Sequence, residues 1–392
     1  MNRGGWARRV AGIQPFYVME VINAVKRLEA EGRHIIRLEV GEPDFPTPPA
    51  VLQAAQHSLA LDQTRYTAAM GIIELRQAVS DWYRRQYAVR IEPERVVITP
   101  GTSGAFLLAF GLLLDPGDRV AISDPGYPCY PNMIRLLGGE PVAIPVGPEH
   151  QYQLSPELLE PALEQGLKGA LITSPSNPTG TLIPDAAMAR VISLVEEGGG
   201  RVISDEIYHG ITYEQPARSA LEFSQDVLVI NGFSKFFAMT GWRLGWMIVP
   251  PAALRHVESL QQNLFISAPT LSQHAALAAF GCEEHLRQQI KEFDRNRLVL
   301  VSALRRFGFA IPVMPTGAFY VYADASALLK RTGHPDTRSL CADLLEHAGV
   351  AVTPGVDFGS HKAHHHLRFS FATTMANVQE GIQRIADFLD RT

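Results

Sequence analysis

The sequence predicts an α/β fold, in which a large domain carries a seven-stranded, mostly parallel sheet flanked by helices. A smaller α+β domain is expected from the N- and C-terminal segments. Between residues 96 and 249, seven aliphatic runs of about four residues alternate mostly with helical patterns, which is typical of buried parallel strands. The chain of 392 residues is also long enough for two domains, and after residue 284 its pattern changes to a long amphipathic helix followed by mixed elements.

The N-terminal part of the chain predicts a helix and a short strand before the sheet begins. Apolar residues recur at helical spacing over residues 17–31, and Gly32 ends that pattern. A short strand is predicted over residues 35–40, ahead of the turn-rich GEPDFPTPP. Two helical patterns within residues 49–87 then flank the loop TRYTAAMG. We expect the N-terminal helix and strand to join the smaller domain.

The predicted strands of the large sheet are the seven aliphatic runs, at Val96–Thr99, Val120–Ser123, Val142–Pro145, Ala170–Thr173, Val202–Ser204, Val227–Ile230 and Trp246–Val249. Residues 251–307 read as helical. The C-terminal part mixes predicted strands and helices, at residues 318–322, 339–347, 366–371 and 375–389. We therefore predict a large domain over residues 46–284 and a small domain made of residues 1–45 and 285–392.

Composition and charge exclude several classes of protein. Charged residues make up 19% and hydrophobic residues 46%, as in a globular enzyme rather than a disordered chain. The net charge of −5, without a long basic run, makes nucleic acids and anionic membranes poor partners. The longest apolar run, residues 105–114, is too short to cross a bilayer. Three widely spaced cysteines and no apolar signal-peptide core predict a cytoplasmic protein.

A loop between the last two predicted strands holds Lys235 and, eight residues later, Arg243. Desolvation beside buried strands lowers the pKa of an amine, as a lysine nucleophile requires. The fork of donors on an arginine matches the oxygens of a phosphate. A lysine that can form a Schiff base, beside an arginine that can bind phosphate, indicates pyridoxal 5'-phosphate as a cofactor. The alternative is a solvated loop with two surface cations.

Small or polar residues follow three other predicted strands, at the edge where ligands gather in open α/β sheets. After the first strand, PGTSG leads into an apolar helix, and its free backbone N–H groups suit an anion. After the second strand, DPGYPCY places Tyr127 where its face can contact a flat ring. After the fourth strand, SPSNPTG presents Asn177 as an amide donor. Each motif alone is equally consistent with an ordinary turn or a packing residue.

Two charged residues lie in apolar surroundings that demand partners for them. Asp205 follows the strand at residues 202–204, and a buried acid there is costly without a partner such as a protonated pyridine nitrogen. Tyr208, three residues later, is placed to reach a hydroxyl of the same ring. The alternative for Asp205 is a helix N-cap. Arg368 lies in the apolar strand LRFSFA, where burial of the guanidinium demands an anion.

The motifs SNPTG, SDEIY and SKFFAMTGWRLGW, in this order and spacing, resemble those of the fold-type-I pyridoxal-phosphate enzymes. More narrowly, the chain is similar to the class I aminotransferases of the aspartate aminotransferase-like group. The resemblance extends from GEPDF at residues 41–45 to LRFSFA at residues 367–372. It implies transamination between an L-amino acid and a 2-oxo acid with ping-pong kinetics, in a homodimer with shared active sites.

The resemblance also implies a role for each site residue. Lys235 would bind the cofactor as a Schiff base and then move the substrate proton, with Asp205 and Tyr208 as further catalytic residues. The cofactor would be held by Asp205 at the ring nitrogen, by Tyr208 and Asn177 at the ring oxygen, by Tyr127 at the ring face, and at the phosphate by Thr102, Ser103, Ser234, Arg243 and the neighbouring subunit's Tyr66. Arg368, Asn177 and the backbone of Gly41 would bind the substrate.

Two departures from the family pattern bear on the site. Gly232 stands where the family often has a serine, which predicts one phosphate hydroxyl fewer. Gly111 stands where some aspartate-specific relatives carry a lysine, so neutral donors are expected to compete well with aspartate. The run His364-His365-His366 suggests a metal, but neighbouring residues of a strand face opposite sides and no carboxylate or cysteine cluster accompanies them. No metal is therefore expected.

Two other functions are compatible with the same fold. A carbon–sulfur β-lyase uses the same lysine and ring for β-elimination, so the motifs do not exclude it. A non-catalytic regulatory relative would retain the fold without the reaction. The intact lysine, aspartate and arginine argue against that second alternative.

Overall fold

The computed structural model of the chain describes residues 7–391. Its strands are β1 (Ile36–Arg37), β2 (Val96–Thr99), β3 (Arg119–Asp124), β4 (Glu140–Pro145), β5 (Gly169–Thr173), β6 (Arg201–Asp205), β7 (Leu228–Gly232), β8 (Gly245–Ile248), β9 (Tyr320–Asp324), β10 (Val350–Ala351), β11 (Thr353–Pro354) and β12 (His366–Ser370). Its α-helices are α1 (Tyr17–Ala30), α2 (Pro49–Ala60), α3 (Ile73–Tyr87), α4 (Gly101–Leu113), α5 (Cys129–Leu136), α6 (Pro156–Leu163), α7 (Asp185–Glu197), α8 (Leu254–Leu264), α9 (Thr270–Ala276), α10 (Glu283–Phe307), α11 (Ser326–Thr332), α12 (Thr337–Asp343) and α13 (Met375–Leu389).

The central sheet has seven strands in the order β2-β8-β7-β6-β5-β3-β4. Strand β8 runs antiparallel to both of its neighbours, and the other pairs are parallel. Each of the seven predicted aliphatic runs is a strand of this sheet, so the predicted fold class is confirmed. The strands are apolar throughout because helices cover both faces; every residue of β5 and β7, for example, is buried.

Helix α4 follows β2 directly and packs against β7 and β8. Its sequence GTSGAFLLAFGLL is apolar on nearly every side, and most of its residues from Gly104 to Phe110 are buried. The predicted buried helix at residues 105–114 therefore forms, and it begins earlier, at Gly101. Because it begins at the end of β2, its free N-terminal N–H groups lie at the edge of the sheet where ligands bind.

The two ends of the chain build two smaller sheets. Strands β1 and β10 pair in parallel, and β12 pairs with β11 and β9 in an antiparallel sheet. The backbone of Leu38 joins them, because its N–H donates to Ala351 O at 2.9 Å and its carbonyl accepts from Ser370 N at 2.7 Å. Residues 1–6 of the predicted small-domain segment lie outside the described residues.

Three predicted elements differ from the structure. The strand expected over residues 35–40 is reduced to β1, because Leu38 turns to bond with two different sheets. The strand expected from residue 318 begins at Tyr320, since Ala318 has a left-handed φ of 51° that an extended strand does not allow. The helix expected over residues 339–347 is divided into α12 and a π-helical turn, Leu344–Ala348.

The carboxyl ends of β3, β5, β6 and β7 meet at one edge of the central sheet, and β9, β12 and α1 lie over that edge. The loops that follow these strands therefore face the smaller sheets across a cleft. Among the described residues, none of the helices combines the length and the apolar character needed to cross a membrane.

Candidate active site

A cavity of about 230 Å³ lies in this cleft. The structure brings eight of the predicted site residues to its wall: Gly41, Thr102, Tyr127, Asn177, Asp205, Tyr208, Lys235 and Arg368. These residues come from both ends of the chain and from five segments between, so the cavity exists only in the folded protein. Ser103 and Ser234 are chain neighbours of cavity residues without lining it.

Lys235 lies after β7, in the loop that leads to β8. Its Nζ donates a hydrogen bond of 2.5 Å to the carbonyl oxygen of Gly41. Burial lowers the pKa of Lys235 to about 8, with Arg368 and Arg243 adding to the effect and Glu42 and Asp205 opposing it. An amine with this pKa is neutral in a useful fraction near pH 7, which both a nucleophile and a general base require.

Asp205 is the last residue of β6 and is 4% exposed. One carboxylate oxygen accepts a hydrogen bond of 2.5 Å from the Tyr130 hydroxyl, and the other accepts one of 3.0 Å from Ile207 N. Burial raises the pKa of Asp205 to about 6, against the lowering effect of these donors and of Lys235. No α-helix begins directly after Asp205; a turn follows, so the alternative assignment as a helix cap is wrong.

The neighbouring acid, Glu206, faces away from the cavity. Its carboxylate accepts hydrogen bonds from Tyr83 Oη at 3.0 Å, Ser219 Oγ at 2.8 Å and Ala220 N at 2.9 Å. Since successive residues of an extended chain point to opposite sides, Asp205 enters the site while Glu206 enters the core. Burial raises the pKa of Glu206 to about 7.

Arg368 extends from β12 into the cavity and is 4% exposed. Its Nη1 donates to Asn177 Oδ1 at 3.0 Å, and its Nη2 donates to the Glu39 carbonyl at 2.5 Å. The guanidinium also lies over the rings of Tyr320 and Phe358, at 4.4 and 4.7 Å from their centroids. Its Nε is buried and has no partner among the described residues. The side chain is thus held rigidly at the cavity wall, and not all five of its N–H donors are used by these contacts.

The first turn of α4 and Arg243 form a second region suited to an anion. Arg243 has a left-handed backbone, with φ of 50°, and its Nη1 donates to Thr240 O at 2.9 Å. A Cβ added to Gly101 would lie 2.7 Å from Arg243 Nη2, so the guanidinium rests directly on the start of the helix. Backbone N–H groups, the hydroxyl of Thr102 and this guanidinium together suit a phosphate.

Gly232, the expected departure from the family pattern, lies beneath this region. A Cβ at residue 232 would approach Gly245 Cα at 3.0 Å and Thr102 Cγ2 at 3.3 Å. A larger residue would therefore press on the start of α4. Gly111 is exposed and does not line the cavity of its own chain.

Tyr66 lies in the loop between α2 and α3 and is 80% exposed. It does not line the cavity of its own chain. Its predicted contact with the phosphate of a neighbouring subunit stays a prediction.

The sequence analysis missed several residues at the cavity wall. Besides Tyr130 and Tyr320, these are chiefly residues of the N-terminal segment and of the loop before β12: Phe16, Val18, Ile22, Asp357 and Phe358. Asp357 accepts a hydrogen bond of 2.6 Å from Tyr17 N and so holds the first turn of α1 over the cavity. No local motif marks these residues, since their positions depend on which segments pack together.

The histidine run does not form a metal site. His366 stacks on Tyr322, with centroids 4.6 Å apart, and its Nδ1 lies 2.9 Å from the Lys362 carbonyl. Within residues 7–391, no group of three or more His, Cys, Asp or Glu side chains is placed to hold a metal ion.

The arrangement as a whole provides two anion sites, at Arg368 and at Arg243, with a lysine of lowered pKa and a buried acid between them. The buried acid suits a cationic ring nitrogen, and the guanidinium of Arg368 at the cavity wall suits a carboxylate. These features fit a phosphorylated pyridine cofactor together with an amino acid.

Comparison with known proteins agrees with this geometry. The family model for aminotransferase class I and II matches residues 33–385. The chain is 40% identical to a valine–pyruvate aminotransferase of Mycobacterium tuberculosis, over 97% of each protein. It is 35% identical to an aspartate/prephenate aminotransferase of Thermus thermophilus, over 99% of each.

Solved structures give the same result. The crystal structure of an aminotransferase from Mycobacterium tuberculosis superposes with a TM-score of 0.94 at 40% identity, covering 99% of this chain and 100% of that one. The chain therefore belongs to the aminotransferase class I and II family, which uses pyridoxal 5'-phosphate, and it transfers an amino group between an L-amino acid and a 2-oxo acid.

Proposed function

We propose that the cavity binds pyridoxal 5'-phosphate and that the chain transaminates L-amino acids whose side chains are neutral and largely apolar. The observation that carries the substrate assignment is the charge of the cavity wall. Among the described residues that line it, the cations are Lys235 and Arg368. Each of them already has another partner in the reaction, so neither is left for a distal carboxylate.

The ring of the cofactor is assigned to the residues around Asp205. Asp205 pairs with the protonated ring nitrogen, and the Tyr130 hydroxyl helps to keep this acid ionised. Tyr208 and Asn177 bind the ring oxygen, and Tyr127 contacts the ring face. The support for these assignments is that all five side chains line one cavity.

The phosphate is assigned to the start of α4 and to the loop after β7. Thr102, Ser103, Ser234 and Arg243 would hold it in the subunit that carries Lys235. The close approach of Arg243 to Gly101 supports this assignment, because it places a guanidinium and free helix N–H groups at the same point.

Bound pyridoxal 5'-phosphate supplies an electron-accepting ring that stabilises negative charge at the Cα of the amino acid. Arg368, which lines the cavity, orients that amino acid by its α-carboxylate, and Asn177 helps to hold the same end. Backbone atoms of Gly41 lie beside this end. Lys235 Nζ is the base that removes the Cα proton, since its lowered pKa leaves a useful fraction of the amine neutral near pH 7. The 2-oxo acid leaves before the second one binds, as ping-pong kinetics requires.

Apolar side chains form the wall where the substrate side chain would lie. Phe16, Val18 and Ile22 come from the N-terminal segment, and Phe358 from the loop before β12. Through Phe16, Tyr127 and Phe358, which line both spaces, the cavity adjoins a cleft of about 590 Å³. Large side chains therefore have room. Inside the cavity, an acidic side chain as short as that of aspartate would be desolvated without a partner, at a cost of several kcal/mol. Arg135 and Arg338 line the adjoining cleft.

Arg37 is an alternative cation that the sequence offers, and its contacts place it elsewhere. Its Nε donates to the buried Glu39 carboxylate at 3.0 Å, and it lines a neighbouring cavity. The similarity to a valine–pyruvate aminotransferase favours a neutral amino donor. The similarity to an aspartate/prephenate aminotransferase favours an acidic one.

The test is the ratio of kcat/KM for aspartate to that for alanine, valine and leucine, measured with one common 2-oxo acid. We expect no preference for aspartate. A preference beyond about 100-fold, or roughly 2.7 kcal/mol at the transition state, would contradict the proposal and reveal a cation that the single chain does not supply.

The proposal includes a homodimer in which Tyr66 of one subunit binds the phosphate in the other. Exposed large apolar residues support an interface near Tyr66: Leu52, Leu59, Leu61, Ile73, Leu264 and Ile266. The loop around Tyr66 is also tied to the start of α9, since Thr270 Oγ1 donates to Arg65 O at 2.6 Å. Burying such residues in a symmetric dimer would remove apolar surface from water.

We also propose the division into a cofactor-binding domain, residues 46–284, and a small domain, residues 1–45 and 285–392. The confinement of the seven-stranded sheet to the first part, and of the two smaller sheets to the second, supports it. A cytoplasmic location is proposed on the widely spaced cysteines, all three of them free thiols.

A further inference from the structure

We propose that Tyr320 is a positioning residue: its hydroxyl sets the direction in which Tyr208 donates its proton, and its ring holds the guanidinium of Arg368. The inference rests on the proposed function, because it concerns the assigned roles of Tyr208 at the ring oxygen and of Arg368 at the substrate carboxylate. Tyr320 itself was not singled out by any motif.

Three contacts meet at Tyr320, which is 1% exposed and lies at the start of β9. Its hydroxyl is 2.8 Å from the Tyr208 hydroxyl. The centroid of its ring is 4.4 Å from the Arg368 guanidinium carbon. A Cβ added to Gly41, whose carbonyl holds Lys235, would collide with the Tyr320 hydroxyl. The residue therefore touches the assigned ring-oxygen site, the carboxylate site and the support of the lysine.

Counting protons gives the direction of the bond between the two hydroxyls. A phenol has one O–H to donate, and each of these hydroxyls has the other as its hydrogen-bond partner among the described residues. If Tyr208 donates its proton to the ring oxygen of the cofactor, the proton shared between the two tyrosines must come from Tyr320. Burial raises the pKa of both tyrosines, so both stay protonated and able to donate.

A chain of two hydrogen bonds follows, from Tyr320 to Tyr208 and from Tyr208 to the ring oxygen. Donation by Tyr320 makes the Tyr208 hydroxyl a better donor, because hydrogen bonds in a buried chain polarise one another. Tyr320 also prevents Tyr208 from turning its proton away from the cofactor. The ring of Tyr320 acts separately, by restricting the Arg368 guanidinium through a cation–π contact.

The chain offers a matched control two residues along the same strand. Tyr322 shares a face of β9 with Tyr320 and is 4% exposed, but its hydroxyl has no hydrogen-bond partner among the described residues. Tyr320→Phe and Tyr322→Phe thus remove the same atom from equally buried rings. They differ in whether that oxygen contacts Tyr208.

The experiment is a double-mutant cycle on the purified holoenzyme, using Tyr320→Phe, Tyr208→Phe, the double variant and Tyr322→Phe. The readout is the pH midpoint of the visible absorbance band of the bound cofactor. A hydrogen bond donated to the ring oxygen favours its negative charge, so weakening that bond raises the midpoint. We expect Tyr320→Phe to raise it by roughly half a pH unit, and Tyr322→Phe to leave it unchanged.

In the Tyr208→Phe background, Tyr320→Phe should have no further effect, because the residue acts through Tyr208. Equal shifts in both backgrounds, or no shift in either while Tyr208→Phe does shift the midpoint, would overturn this inference alone. If Tyr208→Phe leaves the midpoint unchanged, the assignment of Tyr208 fails as well. Thermal unfolding of each variant, compared with Tyr322→Phe, checks that loss of the hydroxyl has not disturbed the fold.

The role of the ring is tested with 2-aminoisobutyric acid, an amino acid that has no Cα proton and so binds without transamination. Tyr320→Phe keeps the ring and should leave its dissociation constant within about twofold, whereas Tyr320→Leu should raise it several-fold. Equal weakening by Phe and Leu would show that the ring does not hold Arg368.

Discussion

Arg368 of β12 donates a hydrogen bond of 3.0 Å to the side-chain oxygen of Asn177, which follows β5 and lies 191 residues earlier in the chain. This bond crosses the cleft between the antiparallel sheet and the central sheet. It couples the residue assigned to the substrate carboxylate with a residue assigned to the cofactor ring. A ligand bound at either position would therefore contact one of two side chains that are hydrogen-bonded to each other.

Replacement of Arg368 by lysine should weaken every amino-acid donor alike. The ammonium of lysine has three donors, but it cannot reproduce the planar fork by which the guanidinium reaches Asn177 and the Glu39 carbonyl while it faces a carboxylate. We expect kcat/KM to fall roughly 10- to 100-fold for alanine, leucine and aspartate. Arg37→Lys is the control and should change none of them. A loss confined to one class of donor would place Arg368 at the substrate side chain instead.

Lys235 should be the site of covalent cofactor attachment. Borohydride reduction of the holoenzyme followed by peptide mass analysis should locate the cofactor on Lys235. The same treatment of Lys235→Ala should yield no covalently attached cofactor. In apoenzyme, the rate of attachment should rise with pH through about 8, because burial lowers the pKa of Lys235 and the neutral amine is the nucleophile. Attachment at another lysine, or a midpoint near that of an exposed lysine, would contradict the assignment.

Asp205→Ala should retain some cofactor and lose most turnover. Without the carboxylate, the ring nitrogen would have no anionic partner in a desolvated site, and losing one member of such a pair costs about 3–5 kcal/mol. We expect turnover to fall roughly 10²- to 10³-fold or more, with a weaker cofactor dissociation constant. Asp226→Ala, at an exposed position, should behave as the unaltered enzyme. Near-normal transamination by Asp205→Ala would contradict the assignment of Asp205 to the ring nitrogen of the cofactor.

Tyr66 should act across the subunit boundary, and hybrid dimers test this directly. Tyr66→Ala and Lys235→Ala are each expected to impair their homodimers. A hybrid of the two has one site that combines an intact Lys235 with the partner's intact Tyr66, so cofactor affinity and activity should return at that site. If Tyr66 served its own chain, the hybrid would gain nothing. Sedimentation that showed an active monomer would also refute the dimer.

The sequence by itself determined the central sheet and the loops that end its strands. The apolar runs and their spacing are local signals. Continuous apolar runs of this length are typical of parallel strands that are buried on both faces. Since ligands meet the carboxyl ends of such strands, Asp205, Asn177 and Lys235 could be nominated before any coordinates. Their motifs then linked them to the aminotransferases.

Only the tertiary structure decided which side chains complete the site. Tyr130 reaches Asp205 across 75 residues of sequence, and Tyr320 reaches Tyr208 across 112. The N-terminal Phe16 and Val18 cover the cavity because Asp357 holds the start of α1. Contacts of this kind depend on how distant surfaces pack. The local spacing of apolar residues shows that a segment is buried, but it does not show which distant segment packs against it. The sequence thus determined where the chemistry lies, and packing decided what holds it in place.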